Sequence, residues 1–158
     1  MNFRIGIGYD VHVLQAGLEF WLGGIKIPHH KGCLAHSDGD VLIHAICDAL
    51  LGAANLRDIG YNFPDTDDKY KGIDSSVLLK KTLELIKEKK YEIVNIDSVI
   101  SLQKPKIMDY IPLMQEKLAS VLEIDIENIS IKASTTEKLG FVGREEGIGA
   151  QVVVLIKK

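Results

Sequence analysis

The stretch "HSDGDVLIHAICDALLGAANL", residues 36–56, decides how the rest of the chain is read. From Val41 onward it is apolar almost all round, the pattern of a helix enclosed by other elements rather than resting on a surface. Ser37 and Asp38 supply a cap signal ahead of it, so the sequence predicts a helix over 38–54. The exceptions to its apolar character are Asp40, His44 and Asp48. Spaced four apart, they drift only ~40° per step around the axis and form one polar stripe, which Asn55 continues. Ionisable groups on a buried helix are costly unless they are paired or bound to something.

Such a helix needs a sheet to enclose it, and the flanking sequence supplies strands. Residues 3–12, "FRIGIGYDVH", and 20–27, "FWLGGIKI", alternate in strand fashion, the second broken by a turn or bulge at Gly23-Gly24. Strand patterns return from Tyr91 ("YEIVNIDSVISLQ"), Ile129 ("ISIKAS") and Ile148 ("IGAQVVVLI"). Helical periodicity covers 75–90 and 109–122 as well. The order β-β-α-α-β-α-β-β predicts an α/β chain of the α+β type, a sheet with helices packed on one side. No repeat or low-complexity tract interrupts it. The one long irregular segment is "RDIGYNFPDTDDKYKGID", residues 57–74, and connections of that length inside a domain are often functional.

Composition narrows the function classes. At 158 residues the chain fits a single domain, with 46% hydrophobic and 26% charged residues, a globular balance. No apolar run approaches the ~18 residues of a membrane span, and the amino terminus alternates like a strand rather than a signal peptide, so the expected address is the cytoplasm with no membrane partner. Cys33 and Cys47 form no C-x-x-C pair and are expected to be buried thiols without a disulfide. A net charge of -3 with scattered basic residues offers nothing to nucleic acid, so an anionic ligand must be held by a local site.

Along a strand, residues two apart point the same way, so Asp10 and His12 in "GYDVH" project together. Alone, a D-x-H pair is also what a strand end and a surface imidazole look like. Joined to His44 from the buried helix, it becomes two imidazoles and one carboxylate, a set that suits tetrahedral Zn²⁺ with one open position. Asp40 or Asp48 is then expected to accept the free N–H of a metal-bound imidazole. His29 and His30 follow Pro28 in a turn, where a solvated pair is the simpler account. A third cluster lies in "KASTTEKLGFVGREEGIGA", residues 132–150, where Ser134, Thr135, Thr136 and Glu137 end a strand near Lys138 and Arg144. Hydroxyls, backbone N–H groups and a carboxylate together suit phosphate and a hard cation, although S/T-T-E is also a capping box. "GIGYDV" lacks the third glycine of a dinucleotide loop and no G-K-[ST] occurs, so neither a Rossmann nor a Walker site is present. The residues by themselves lead to a zinc site facing a phosphate ligand. That leaves open a zinc hydrolase with an activated water, or a metal-dependent binding module for nucleotides or prenyl diphosphates.

Taken together and in order, "GYDVH", "AHSDGDVLIHAICDALLGAA", "RDIG", "FPDTD", "KPKI" and "STTEKLGF-VGREEGI" closely resemble the 2-C-methyl-D-erythritol 2,4-cyclodiphosphate synthase family of the non-mevalonate isoprenoid pathway. The resemblance implies a homotrimer of α/β subunits, each a mixed sheet with helices on one side, with active sites between subunits. It also implies closure of 4-diphosphocytidyl-2-C-methyl-D-erythritol 2-phosphate to the 2,4-cyclodiphosphate with release of CMP. By position, Asp10, His12 and His44 match the zinc ligands, the set that spacing had already assembled. His36 and Ser37 match contacts to the methylerythritol phosphate, and His36 with Thr135 match positions that stabilise the transition state. Asp58, Ile59 and Gly60, then Phe63, Pro64, Asp65, Thr66 and Asp67, match loop contacts to substrate, which gives the long loop a purpose. Leu102, Gln103, Lys104, Pro105, Ile107 and Met108 match the cytidine pocket, with Lys106 near the diphosphate. Glu137 matches the ligand of a second divalent cation, Mg²⁺ or Mn²⁺, between the α and β phosphates, while Thr136, Phe141 and Arg144 match further binding positions. Ser134 stands where the family usually has Thr, keeping the hydroxyl. Glu145 replaces a Gly of some members at the trimer axis, where some bind a prenyl diphosphate.

Overall fold

The computed structural model describes residues 1–158. Its longest strand, β1 (Phe3–Ala16), sits inside a five-stranded sheet with β4 (Lys31–Leu34), β5 (Glu92–Ser101), β6 (Ile129–Ser134) and β7 (Gly147–Lys157). The order is β4-β1-β7-β5-β6. β1 pairs antiparallel with β4 and β7, and β5 antiparallel with β7, but β5 and β6 run parallel, so the sheet is mixed. A parallel neighbour demands a crossover, and α4 (Ile111–Leu122), packed on β6, provides it. A bulge at Val94 shifts the β5–β7 register.

The helices all lie on one face. α1 (Val41–Ala53) packs against β1 and β7, and α3 (Ser75–Glu88) packs on α1 and α4. Inward positions on β7 are Ile148, Ala150, Val152, Val154 and Ile156, all buried, matched by Ile96, Ser98 and Ile100 on β5. Ten of the thirteen residues of α1 are buried, as its sequence demanded. On the opposite face β1 exposes Phe3, Ile5, Ile7, Tyr9, Val11 and Val13. No helix is long and apolar enough to cross a membrane. Cys33 and Cys47 are free and buried, and burial pushes both thiols up to about 12.

Several boundaries differ from the sequence reading. The segment 20–27 is a hairpin, β2 (Phe20–Leu22) and β3 (Ile25–Ile27), forming its own small sheet with the turn at Gly23-Gly24. β4 was hidden because Pro28, two histidines and Gly32 look like a turn; Gly32 is a close-packing residue, since a Cβ there would lie 2.0 Å from the Glu19 carbonyl oxygen. α1 starts three residues later than expected, because its N-cap is Asp40 and not Ser37-Asp38. Asn55 falls beyond the helix end at φ 58 and is exposed, so it does not continue the stripe. The long loop contains one short helix, α2 (Ile59–Asn62), and a 3-10 turn at Asp68–Tyr70; α5 (Gly140–Gly143) precedes β7.

Candidate active site

Glycines set the distance between β1 and α1. A Cβ on Gly6 would fall 1.9 Å from the Ala49 carbonyl oxygen, and one on Gly8 would fall 1.8 Å from that of Ala45. The helix backbone therefore rides directly on the strand. Advancing two residues along the strand matches about one turn back along the helix, so Asp10 lies beside the turn between Val41 and Ala45, from which His44 reaches it.

There, three donor atoms converge. Asp10 Oδ2 is 3.1 Å from His44 Nδ1 and 3.2 Å from His12 Nε2, and the two imidazole nitrogens are 3.0 Å apart. The rings meet edge to face at 87°. Four N/O ligands at ~2.05 Å from a tetrahedral ion lie ~3.3 Å from one another, so this spacing fits a small divalent cation with one position left open. The pKa values of the two imidazoles are shifted in opposite directions. Burial lowers the pKa of His12 against the attraction of Asp10. Burial opposes charge on His44 too, but its hydrogen bond to Asp10 and that carboxylate's charge outweigh it and raise its pKa.

The acceptor expected behind His44 proves different. Asp40 is fully buried and engaged elsewhere: its carboxylate accepts N–H bonds from Ile43 at 3.0 Å, Gly23 at 2.9 Å and Gly24 at 2.7 Å. Burial raises its pKa to about 6, against the pull of those N–H groups. Asp48 accepts the Ile59 N–H at 2.8 Å, tying α1 to the start of α2. Two serine hydroxyls instead face His44 Nε2, Ser37 at 3.1 Å and Ser75 at 3.0 Å. Ser75 opens α3, thirty-one positions from His44, and nothing local in the sequence marks it. His29 and His30 meet edge to face; His30 is exposed, as expected, but His29 is half-buried against Phe20.

Asp10, His12 and His44 open into a cavity of about 330 Å³ that His36, Ser37, Ile59, Gly60, Phe63 and Asp65 also line. Ala35, Tyr70, Ile73 and Leu78 complete its wall, residues that sequence reasoning missed; Tyr70 packs edge to face on Phe63. Backbone bonds from Gly72 N–H to His36 O and from Asp38 N–H to Ile73 O zip the long loop onto the segment carrying His36. His36 Nε2 is buried with no hydrogen-bond partner. Asp58, Pro64, Thr66 and Asp67 stand outside the cavity wall, with Asp58 capping α2 and Asp67 the following 3-10 turn.

A second cavity of about 300 Å³ lies at the ends of β5 and β6. Leu102, Gln103, Pro105, Lys106, Ile107 and Met108 line it with Ser134 and Thr135. Leu102 N–H donates to Ser134 O, and Gln103 Oε1 accepts from Lys138 N–H, joining the two loops. Thr136 turns its hydroxyl to Leu139 O, and Glu137 is exposed at φ 53. Lys104 and Arg144 pair with Glu145 and Glu146 rather than facing the cavity, and Phe141 is 40% exposed. The two cavities share no residue.

A mixed sheet backed by helices, with a strand and a buried helix converging on one carboxylate and two imidazoles, defines an α/β protein with a donor set that could hold a metal ion. The chain belongs to the YgbB family, whose sequence pattern matches residues 3–157. It is 63% identical over its whole length to 99% of a 2-C-methyl-D-erythritol 2,4-cyclodiphosphate synthase of Bacteroides thetaiotaomicron. Its fold superposes with a TM-score of 0.90 on a CDP-bound structure of 2C-methyl-D-erythritol-2,4-cyclodiphosphate synthase, at 35% identity over 98% of this chain and 100% of that one. The bifunctional IspDF of Campylobacter jejuni matches at TM-score 0.95 and 44% identity; 99% of this chain is covered but only 42% of that longer one.

Proposed function

We propose that the chain converts 4-diphosphocytidyl-2-C-methyl-D-erythritol 2-phosphate to 2-C-methyl-D-erythritol 2,4-cyclodiphosphate with release of CMP, the activity named for its relatives. One observation carries the reading: the donor triad opens into a cavity that His36 and Ser37 also line, where a phosphate needs both cationic and hydrogen-bonding partners. The nucleophile is the substrate's own 2-phosphate. An oxygen of that group attacks the β-phosphorus, the bond from the β-phosphorus to the bridging oxygen breaks, and CMP leaves with that oxygen. No covalent catalyst is required, so the protein's task is to bend and hold the substrate. Positioning of this kind can contribute ~7 kcal/mol or more.

Asp10, His12 and His44 would hold Zn²⁺, which supplies Lewis-acid charge to the phosphates when bound. His36 and Ser37 orient the 2-phosphate, and Ile59, Gly60, Phe63 and Asp65 hold the erythritol. The cavity at Leu102–Met108 takes the cytosine, with Lys106 toward the diphosphate and Thr135 beside the reacting phosphorus. Glu137 offers a single exposed carboxylate, which fits a Mg²⁺ or Mn²⁺ completed by phosphate oxygens and water. The homotrimer that the resemblance implies would let one subunit's cytidine pocket serve its neighbour's metal site, and the separation of the two cavities within one chain supports that reading. The exposed apolar face of β1 supports such an assembly. The cytoplasm is the compartment this reading implies.

Phosphorus NMR of the reaction tests it directly. CMP and a cyclic diphosphate should appear together, without oxygen from bulk water; labelled oxygen in the product would make the chain a hydrolase. His44→Ala should abolish zinc occupancy and turnover while the circular dichroism stays native. Glu137→Gln should weaken turnover chiefly at low magnesium, and an unchanged magnesium dependence would remove Glu137 from that role.

A further inference from the structure

Around His44 the hydrogen bonds have a direction. Asp38 receives three donors: the Ser75 hydroxyl, the Ser75 N–H at 2.9 Å and the Asp40 N–H at 3.1 Å. Its carboxylate is acceptor-only, so the fully buried Ser75 hydroxyl spends its one hydrogen there in a charge-assisted bond. What Ser75 Oγ turns toward His44 Nε2, 3.0 Å away, is therefore a lone pair. A bare Nε2 facing it would set lone pair against lone pair, whereas an Nε2–H satisfies both. Ser37 Oγ, 3.1 Å from the same nitrogen and accepting from Gly39 N–H, belongs to a partly exposed residue free to turn its hydrogen into the cavity.

We propose that Ser75 and Asp38 act as a relay that keeps a proton on His44 Nε2, so that Nδ1, hydrogen-bonded to Asp10 in the metal-free chain, is the nitrogen that gives up its proton to a metal. The inference rests on the metal reading of the triad and adds two positioning residues that no ligand touches. A partner fixing the tautomer of a metal-bound imidazole is worth 10–100-fold in metal affinity. The relay also ties the triad to α3, since Asp38 grips both the hydroxyl and the N–H of that helix's first residue.

The test uses the full chain, ¹⁵N-labelled and loaded with Zn²⁺. Long-range ¹H–¹⁵N correlation of the imidazoles should show His44 protonated at Nε2 and metal-bound at Nδ1. Ser75→Ala should raise the zinc dissociation constant 10–100-fold in chelator competition and speed exchange of the Nε2 proton, with Asp38→Asn moving both the same way. A merely structural role would lower the unfolding midpoint and leave the proton's position and exchange unchanged. Zinc on Nε2 of His44 overturns the proposal from the wild-type spectrum alone, whether or not the variants fold. Unchanged zinc affinity in Ser75→Ala overturns it while the triad stands; a wild-type chain that binds no zinc at the triad overturns both.

Discussion

Single residues show where physical meaning hid behind a familiar pattern. Gly6 and Gly8 look like the start of a nucleotide loop, and the sequence excludes that reading without saying what they do. They let a helix carbonyl approach within 2 Å of where a Cβ would be, and that approach keeps the helix carrying His44 close to the strand carrying Asp10. Gly8→Ala must therefore push α1 away from β1. Overpacking against side chains costs about 1–3 kcal/mol; against helix backbone the effect should reach the upper end. The expected outcome is a lower urea midpoint together with a tenfold or greater loss of zinc affinity, while Gly52→Ala, with nothing near its Cβ position, changes neither. Equal zinc binding in Gly8→Ala would show that the triad does not depend on this contact. Asp10, His12 and His44 were legible because two short-range periodicities, two along a strand and four along a helix, converge on them. Ser75 was not, because its link to His44 exists only once α3 is packed.

At the scale of elements, the helices and the central strands followed from periodicity, and the ends followed from contacts that no local pattern records. Asp40 fits a polar stripe as well as a cap, and the structure makes it the cap of α1 and the anchor of the β2–β3 turn. Asp40→Ala leaves three backbone N–H groups without an acceptor, so it should lower stability by about 3 kcal/mol in urea unfolding. β4 was invisible because Gly32 is needed for space and not for a turn. α3 and α4 are linked by Glu123, which meets both Lys80 and Lys87. Those two ammonium groups hold its carboxyl near pH 2, below the ordinary 4.5. The unfolded chain therefore takes up the proton first on acidification. The link contributes stability above about pH 4.5 and loses it as pH falls toward 2. Glu123→Gln should unfold at a lower urea concentration than wild type at pH 6, and the gap should close by pH 2 to 2.5. A gap that stayed constant with pH would assign the link to packing rather than charge.

Over the whole molecule, the sheet is closed by helices on one face and left apolar on the other. Ile5 and Ile7 are 73% and 74% exposed, with Tyr9 and Val13 beside them, an arrangement a lone chain has no reason to keep. The sequence showed the alternation but not which set faces the helices; the buried helix and the glycines of β1 decide that. The separation of the two cavities concerns the same face. Strand register puts Asp10, Ala150, Ile100 and Ala133 in one row, so the triad and the second cavity lie three strand spacings apart, ~14 Å, within a chain. In the proposed assembly a single substrate uses a metal site and a cytidine pocket from neighbouring chains, and the apolar face of β1 is the surface proposed to hold those chains together. Ile5→Lys combined with Ile7→Lys places charges on that face without touching the core. Light scattering should then report monomers, which keep wild-type zinc affinity because the triad lies wholly within one chain, yet release CMP at least a hundredfold more slowly. Monomers with full turnover would place both halves of the site in one subunit; trimers that persist would move the interface to another face.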